Sequence, residues 1–240
     1  MSKYDDIEPK EKWEFDEEVA DCFENMLERS IPDYENMRKL CVNMCDSLIL
    51  KDKSLFYLLD LGCSDGLNMK EFTYKYGARG NYTLVDCSKP MLEKCRSKYH
   101  NYIGNDLMKV LEMDLRKHFP VGMYDVILSV LTLLFIPIQY RQQIVQKIYN
   151  NLRPLGVFIL VEKVLGNSAS IDDALVENYY KMKHENGYSY EQIERKKLSL
   201  EGVQVPVTSN WNIDLLKQAG FKQIDVFWRN LNFEGYVAIK

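Results

Sequence analysis

Residues 56–66 read Phe-Tyr-Leu-Leu-Asp-Leu-Gly-Cys-Ser-Asp-Gly. A short apolar burst that stops at a glycine predicts a strand buried on both faces of a parallel sheet, and the small residues after it predict a tight turn into a helix. The rest of the chain keeps that rhythm. A helix is predicted over 67–76, a strand over 82–86, a helix over 90–98, strands over 109–113 and 124–130, a helix over 139–151 and a strand over 157–163 after an Arg-Pro-Leu-Gly turn at 153–156. Strands alternating with helices in this way predict a doubly wound, mostly parallel α/β sheet of seven strands, Rossmann-like. Strands at 224–229 and 235–240 complete it.

Other segments frame this core. Val19, Cys22, Phe23, Met26 and Leu27 recur at helical spacing behind Asp16, and Pro32 stops the run; a second helix is predicted from Tyr34 to Leu48. Residues 165–205 are polar and rich in Tyr and Lys, and they predict an inserted helical cap. Asn210 is the expected N-cap of a helix carrying Ile213, Leu215 and Leu216, which the Ala219-Gly220 pair closes. The expected organisation is a single domain over 1–240, with N-terminal helices over 1–50, the core over 55–163 and 211–240, and the cap over 164–210.

Composition narrows the partners. Lys and Arg number 31 against 35 Asp and Glu, a net charge of −4, without the basic excess of a phosphate-backbone binder, so no direct nucleic-acid contact is expected. The longest apolar stretch, 126–138, is interrupted by Ser129, Thr132 and Pro137 and is too short to span a membrane. The polar, acidic opening MSKYDDIEPKEKWEFDEE has no apolar signal core, which predicts a cytoplasmic protein. Six cysteines without a CxxC pair, and three histidines, give no zinc spacing; reduced thiols and no metal are expected.

Chemistry concentrates at the strand ends. The turn from Asp60 through Gly62-Cys63-Ser64-Asp65 to Gly66 lets backbone approach a nucleoside closely. Asp86, twenty residues past Gly66 at the end of the next strand, stands where a carboxylate accepts from both ribose hydroxyls. Asp114 ends the third strand, placed to accept from an adenine amino group while Leu115 packs on the ring. Each acid has the alternative of capping a helix, but three strand ends facing one crevice predict an adenosine site. Neither GxxxxGK[ST] nor GxGxxG occurs, which argues against ATP and NAD.

This arrangement resembles the class I S-adenosyl-L-methionine (SAM) methyltransferases, with Ser64 in place of the middle glycine of their usual motif. A narrower resemblance spans nearly the whole chain. The patterns WxFDExVAxxFxxMxxRSxPxY at 13–34 and NGYSxxxIxxK at 186–196, with Gly62-Cys63-Ser64, Asp86 in DCSKPM, Thr132-Leu133, Phe135 and Glu162-Lys163, are similar to those of the carboxy-S-adenosyl-L-methionine synthases. That family resembles methyltransferases in fold but carboxylates the SAM methyl group, drawing the carboxyl from prephenate, and its product later serves wobble-uridine modification in tRNA. The resemblance implies cofactor contacts from Tyr34, Gly62, Cys63, Ser64, Asp86, Cys87, Asp114 and Leu115, and a homodimer. Two positions depart from the family. Val130 stands where the family has an asparagine near the methionine portion, and Lys197 stands where an arginine receives the new carboxylate. Lysine keeps the charge but not the bidentate fork.

Weaker candidates are His184 as a general base, with a surface role the more common, and Tyr179, Tyr180, Tyr188 and Tyr190 as an acceptor pocket, with cap packing the more common. Arg195 replaces Lys197 only if the cap helix shifts. Cys63 and Cys87 are expected to offer backbone contacts. Three functions remain open: SAM-dependent methyl transfer to a small-molecule acceptor, placed first because the family arginine is missing; carboxy-SAM synthesis as the alternative; and SAM binding without turnover.

Overall fold

The computed structural model describes residues 11–240. Residues 1–10, which carry most of the opening read for a leader, lie outside the described residues. The helices are α1 (Glu17–Ser30), α2 (Tyr34–Cys45), α3 (Met69–Tyr76), α4 (Lys89–Lys98), α5 (His100–Gly104), α6 (Ile138–Asn151), α7 (Ala169–Glu185), α8 (Tyr190–Leu200) and α9 (Ser209–Ala219). The strands are β1 (Phe56–Leu61), β2 (Gly80–Asp86), β3 (Met108–Glu112), β4 (Tyr124–Val130), β5 (Leu152–Leu165), β6 (Val207–Thr208), β7 (Gln223–Asn230) and β8 (Phe233–Ile239).

The sheet order is β3-β2-β1-β4-β5-β8-β7, with the two-residue β6 paired to β5. The first five strands run parallel, β8 pairs antiparallel with β5, and β7 antiparallel with β8. Strand order reverses between β1 and β4, which opens a crevice beyond their carboxyl ends. Along the central strands, side chains alternate between two cores, as a period of two requires. Leu58, Val126 and Ile159 pack with Met37 and Phe72 on one face, and Leu59, Ile127 and Leu160 pack with Ile148 and Leu216 on the other. This explains why those strands read as continuous apolar runs. A third cluster joins Trp13, Val19, Phe23 and Met26 to Met91, seating α1 on the end of the sheet.

Several expectations need correction. The second helix is α-helical only to Cys45 and finishes as a π-turn over Asp46–Leu50. The Arg-Pro-Leu-Gly segment is not a free turn but a break within β5: Leu155 takes φ 62°, and the register against β4 shifts between Tyr124 and Val126. The last helix begins at Ser209. Its N-cap is Thr208, whose hydroxyl accepts from Trp211 N, not Asn210; Thr208 ends β6 with extended backbone, which an N-cap requires, whereas Asn210 already lies inside the first turn. Asp16 caps α1 as expected, accepting from Val19 N at 2.9 Å. Gly220 closes α9 at φ 111°.

Candidate active site

The turn after β1 folds over β2. Gly62 N and Cys63 N both donate to Val85 O, at 2.8 and 2.9 Å, and Ser64 N donates to Asp86 Oδ2 at 2.8 Å. Gly62 has φ +70° and Ser64 φ +49°. Thr132, just past β4, donates its hydroxyl to Leu61 O at 2.9 Å. A Cβ on Gly62 would fall 2.3 Å from that threonine side chain. Leu131 beside it takes φ +56°, so both sides of the switch point carry left-handed backbone. The strained segment is braced from behind. The buried Glu162 carboxyl lies beside the backbone N–H groups of Leu133, Thr132 and Leu134, and Arg141 donates to the carbonyls of Ile136, Leu134 and Val205. Burial pushes the Glu162 carboxyl up to about 8, although Arg141 opposes the shift.

Above this floor lies a cavity of about 460 Å³, within the range of small-molecule sites. Its roof comes from two distant segments. Trp13, Phe23, Met26 and Tyr34 line one side, and Tyr179, Lys183, Lys196 and Lys197 the other. The segments are stitched together: Trp13 N donates to Ser199 O at 2.9 Å, Arg29 Nε to Asn186 O at 2.9 Å, and the Asn186 amide returns a bond to Arg29 O at 3.1 Å. The Arg29 guanidinium lies 4.0 Å from the centre of the Tyr188 ring. The two motifs at 13–34 and 186–196 are therefore in contact.

Of the residues singled out in the sequence, Tyr34, Gly62, Cys63, Ser64, Val130 and Lys197 share the cavity wall. Asp86, Cys87, Asp114 and Leu115 are not on it; Asp86 ends β2 and the other three follow the ends of β2 and β3. Asp86 accepts from Ser64 N on one oxygen and Ser88 N on the other, both at 2.8 Å, leaving each oxygen a further lone pair. Burial raises its pKa, opposed by the backbone N–H groups of Ser88, Ser64 and Cys87. Asp114 lies two residues past β3 rather than ending it. Its carboxylate is held by Arg116 Nε at 2.9 Å and Nη2 at 2.8 Å, which keeps it below the usual carboxylate range. Cys63 is buried and burial pushes its thiol well up, while Cys87 is exposed. Lys197 Nζ bonds Glu194 Oε1 at 3.0 Å on the open side of the cavity, and both side chains are half exposed. Arg195 bonds Glu191 at 2.6 Å. His184 Nδ1 lies 2.9 Å from Tyr188 O with its ring stacked on Tyr190, which is a packing role.

Three residues that the sequence names only as parts of motifs have surroundings it does not foretell. Asp60 is fully buried beneath the Gly62 turn, and among the described residues neither of its oxygens has a hydrogen-bond partner of normal geometry. Burial pushes it up to about 8, with the Asn68 side chain opposing. Trp13 packs under the Lys196 ammonium at 4.9 Å. Lys163, on β5, lines the cavity over the ring of Tyr179. The strand-end rule that selected Asp86 extends to Lys163, but an apolar run masks a lysine at its end.

A methyltransferase-domain family model matches residues 59–160. The carboxy-S-adenosyl-L-methionine synthase of Methylococcus capsulatus is 35% identical over 228 residues, 94% of this chain and 93% of that protein. That of Wolinella succinogenes is 35% identical over 237 residues, covering 97% and 95%. The chain belongs to the carboxy-S-adenosyl-L-methionine synthase family. Members of this family share the methyltransferase fold, and here the match to solved structures is to longer proteins. A putative O-methyltransferase from Nostoc punctiforme superposes with a TM-score of 0.65 at 14% identity, covering 93% of this chain and 59% of that one. PigF with S-adenosylhomocysteine (SAH) gives 0.63 at 17%, covering 92% and 58%. This synthase-family chain thus spans less than two thirds of those structures. It is a SAM-dependent transferase, which sets aside SAM binding without turnover. No helix of the described residues is long and apolar enough to cross a membrane.

Proposed function

We propose that this transferase carboxylates the SAM methyl group, making carboxy-SAM with a carboxyl drawn from prephenate. The observation that carries the proposal is the cavity wall, where Lys163, Lys183, Lys196 and Lys197 converge from three elements. The same wall carries the carboxylates Asp65 and Glu201, Asp65 being paired with Lys98, and the positive excess that remains suits an anionic partner better than a neutral acceptor. Identity of about a third along the whole chain to proteins named for this reaction supports the same reading, and it reverses the order set by the missing arginine.

The buried, unpartnered carboxyl of Asp60 and the tight Gly62 turn fit a nucleoside carrying an ammonium group. In this proposal the Cys63 and Ser64 backbone and Asp86 hold the ribose, while Leu115, with Cys87 and Asp114, faces the adenine. Tyr34 closes over the ligand, and Val130 contacts the methionine portion through its backbone. Bound SAM would supply a sulfonium that acidifies its methyl group; prephenate gives up its ring carboxyl as CO2 and its hydroxyl as hydroxide, leaving phenylpyruvate, the methyl carbon bonds to that CO2, and the methyl proton leaves with the hydroxide as water. Lys197 receives the new carboxylate once it leaves Glu194. The homodimer, the cytoplasmic setting and the lack of direct nucleic-acid contact belong to the same proposal. Methyl transfer to a small acceptor is the second reading, favoured by the capture of Lys197 by Glu194.

The test is incubation of purified protein with SAM and prephenate, followed by mass spectrometry. Carboxy-SAM that depends on both reactants supports the proposal. Unchanged SAM, with SAH appearing only when another acceptor is supplied, refutes it.

A further inference from the structure

The charged groups on the cavity wall are not equivalent. Asp65 is neutralised by Lys98 at 2.7 Å, and Lys197 is engaged with Glu194. Lys183 and Lys196 are buried against Tyr188, at 4.8 and 5.4 Å from its ring centre. Lys163 differs. Its ammonium sits 4.6 Å from the Tyr179 ring centre and 6.0 Å from that of Phe233, and among the described residues no carboxylate lies within ion-pair distance of it. Asp172, which favours its charge from a distance, is occupied in accepting Gly166 N at 2.7 Å. Two ring faces stabilise an ammonium only in part. A cation withdrawn from water without an anion is costly, so a structure that keeps one at a cavity wall is built for an anion that arrives from outside.

The position is as informative as the missing partner. Lys163 lies two residues past Val161, which pairs with Val130 at the end of β4, and itself pairs with Phe233 of β8, so its main chain is fixed relative to the switch point. The Tyr179 and Phe233 rings confine its stem. Lys197 by contrast rides on a half-exposed helix face. We propose that Lys163 is the fixed anchor for a carboxylate of the second substrate, a small dicarboxylate, leaving Lys197 to take the carboxylate of the product. This inference rests on the reaction proposed above and assigns the substrate-binding residue within it.

The test uses SAH-loaded protein, which binds without turning over, titrated calorimetrically with prephenate. Lys163→Met keeps the stem length and removes the charge; Lys163→Arg keeps the charge. The expected result is SAH affinity within about twofold of wild type in both variants, with prephenate binding weakened at least about tenfold in Lys163→Met and at most about threefold in Lys163→Arg. Wild-type prephenate affinity in Lys163→Met overturns the anchor, as does a wild type that binds no prephenate. If Lys163→Met fails to fold, Lys163→Gln is read by the same criteria. Formation of carboxy-SAM is assayed separately: a wild type that binds prephenate through Lys163 but makes no carboxy-SAM removes the reaction and leaves the anchor.

Discussion

The side chain of Thr132 fills the space that a Cβ on Gly62 would need, 2.3 Å away, while its hydroxyl donates to Leu61 O. Two loops from opposite sides of the switch point are thereby locked together through the absence of one methyl group. Gly62→Ala meets both a strained left-handed φ and this contact. It is expected to destabilise the protein by about 2–4 kcal/mol and to weaken SAM binding, because relief requires the turn to move. Thermal unfolding with and without SAM measures both effects; a Tm equal to wild type is the contrary result.

Asp86 is held by two backbone donors with acceptor capacity to spare. Asp86→Ala strands the Ser64 and Ser88 N–H groups and removes the proposed ribose acceptor. The expected loss of SAM affinity is about 1–3 kcal/mol by calorimetry, and unchanged affinity refutes the placement.

Lys197 and Glu194 make a competition that can be biased from either side. Lys197→Ala is expected to leave SAM affinity near wild type and to lower that for carboxy-SAM. Glu194→Gln, which releases the ammonium, is expected to raise carboxy-SAM affinity. Equal losses for the two ligands in Lys197→Ala rule out a carboxylate-specific role.

Asp60 gives a pH signature. Its carboxyl ordinarily titrates at 3.8 but is pushed up to about 8 by burial. Between these values the folded chain keeps a proton that the unfolded chain has lost, so this contribution is full below about pH 4, falls as pH rises and levels off above about pH 8. Glu162 acts with the same sign. Asp60→Asn is expected to flatten part of the decline, gaining on the order of 1–3 kcal/mol over wild type at pH 8 relative to pH 5. Urea unfolding at the two pH values checks it, and parallel declines in the two proteins contradict it.

Much of the sheet is visible in the sequence because burial on both faces leaves no polar alternation to interpret, and Leu58 and Leu59 simply serve opposite cores. Local competition is harder to read. Thr208 and Asn210 are both good caps, and the choice fell to the residue held extended by pairing with Leu165. The turn residues Gly62, Cys63 and Ser64 are legible because close backbone approach demands small side chains. The roof is not, since no periodicity announces that Trp13 will bond Ser199. Lys163 is visible as part of a motif, but its place on the cavity wall is not, its partners Tyr179 and Phe233 coming from a helix and a strand far along the chain.

The stitching of the roof also bears on how the molecule forms. Lys12 bonds Glu201 across 189 residues and Arg29 bonds Asn186 across 157, whereas the parallel strands close through much shorter crossovers. Contacts between such distant positions carry the larger loop-closure entropy, which disfavours their forming first. Loop-closure entropy thus predicts that the sheet, with its strand-end contacts, precedes the chamber above it during refolding, and that enclosure of a ligand by the roof comes later.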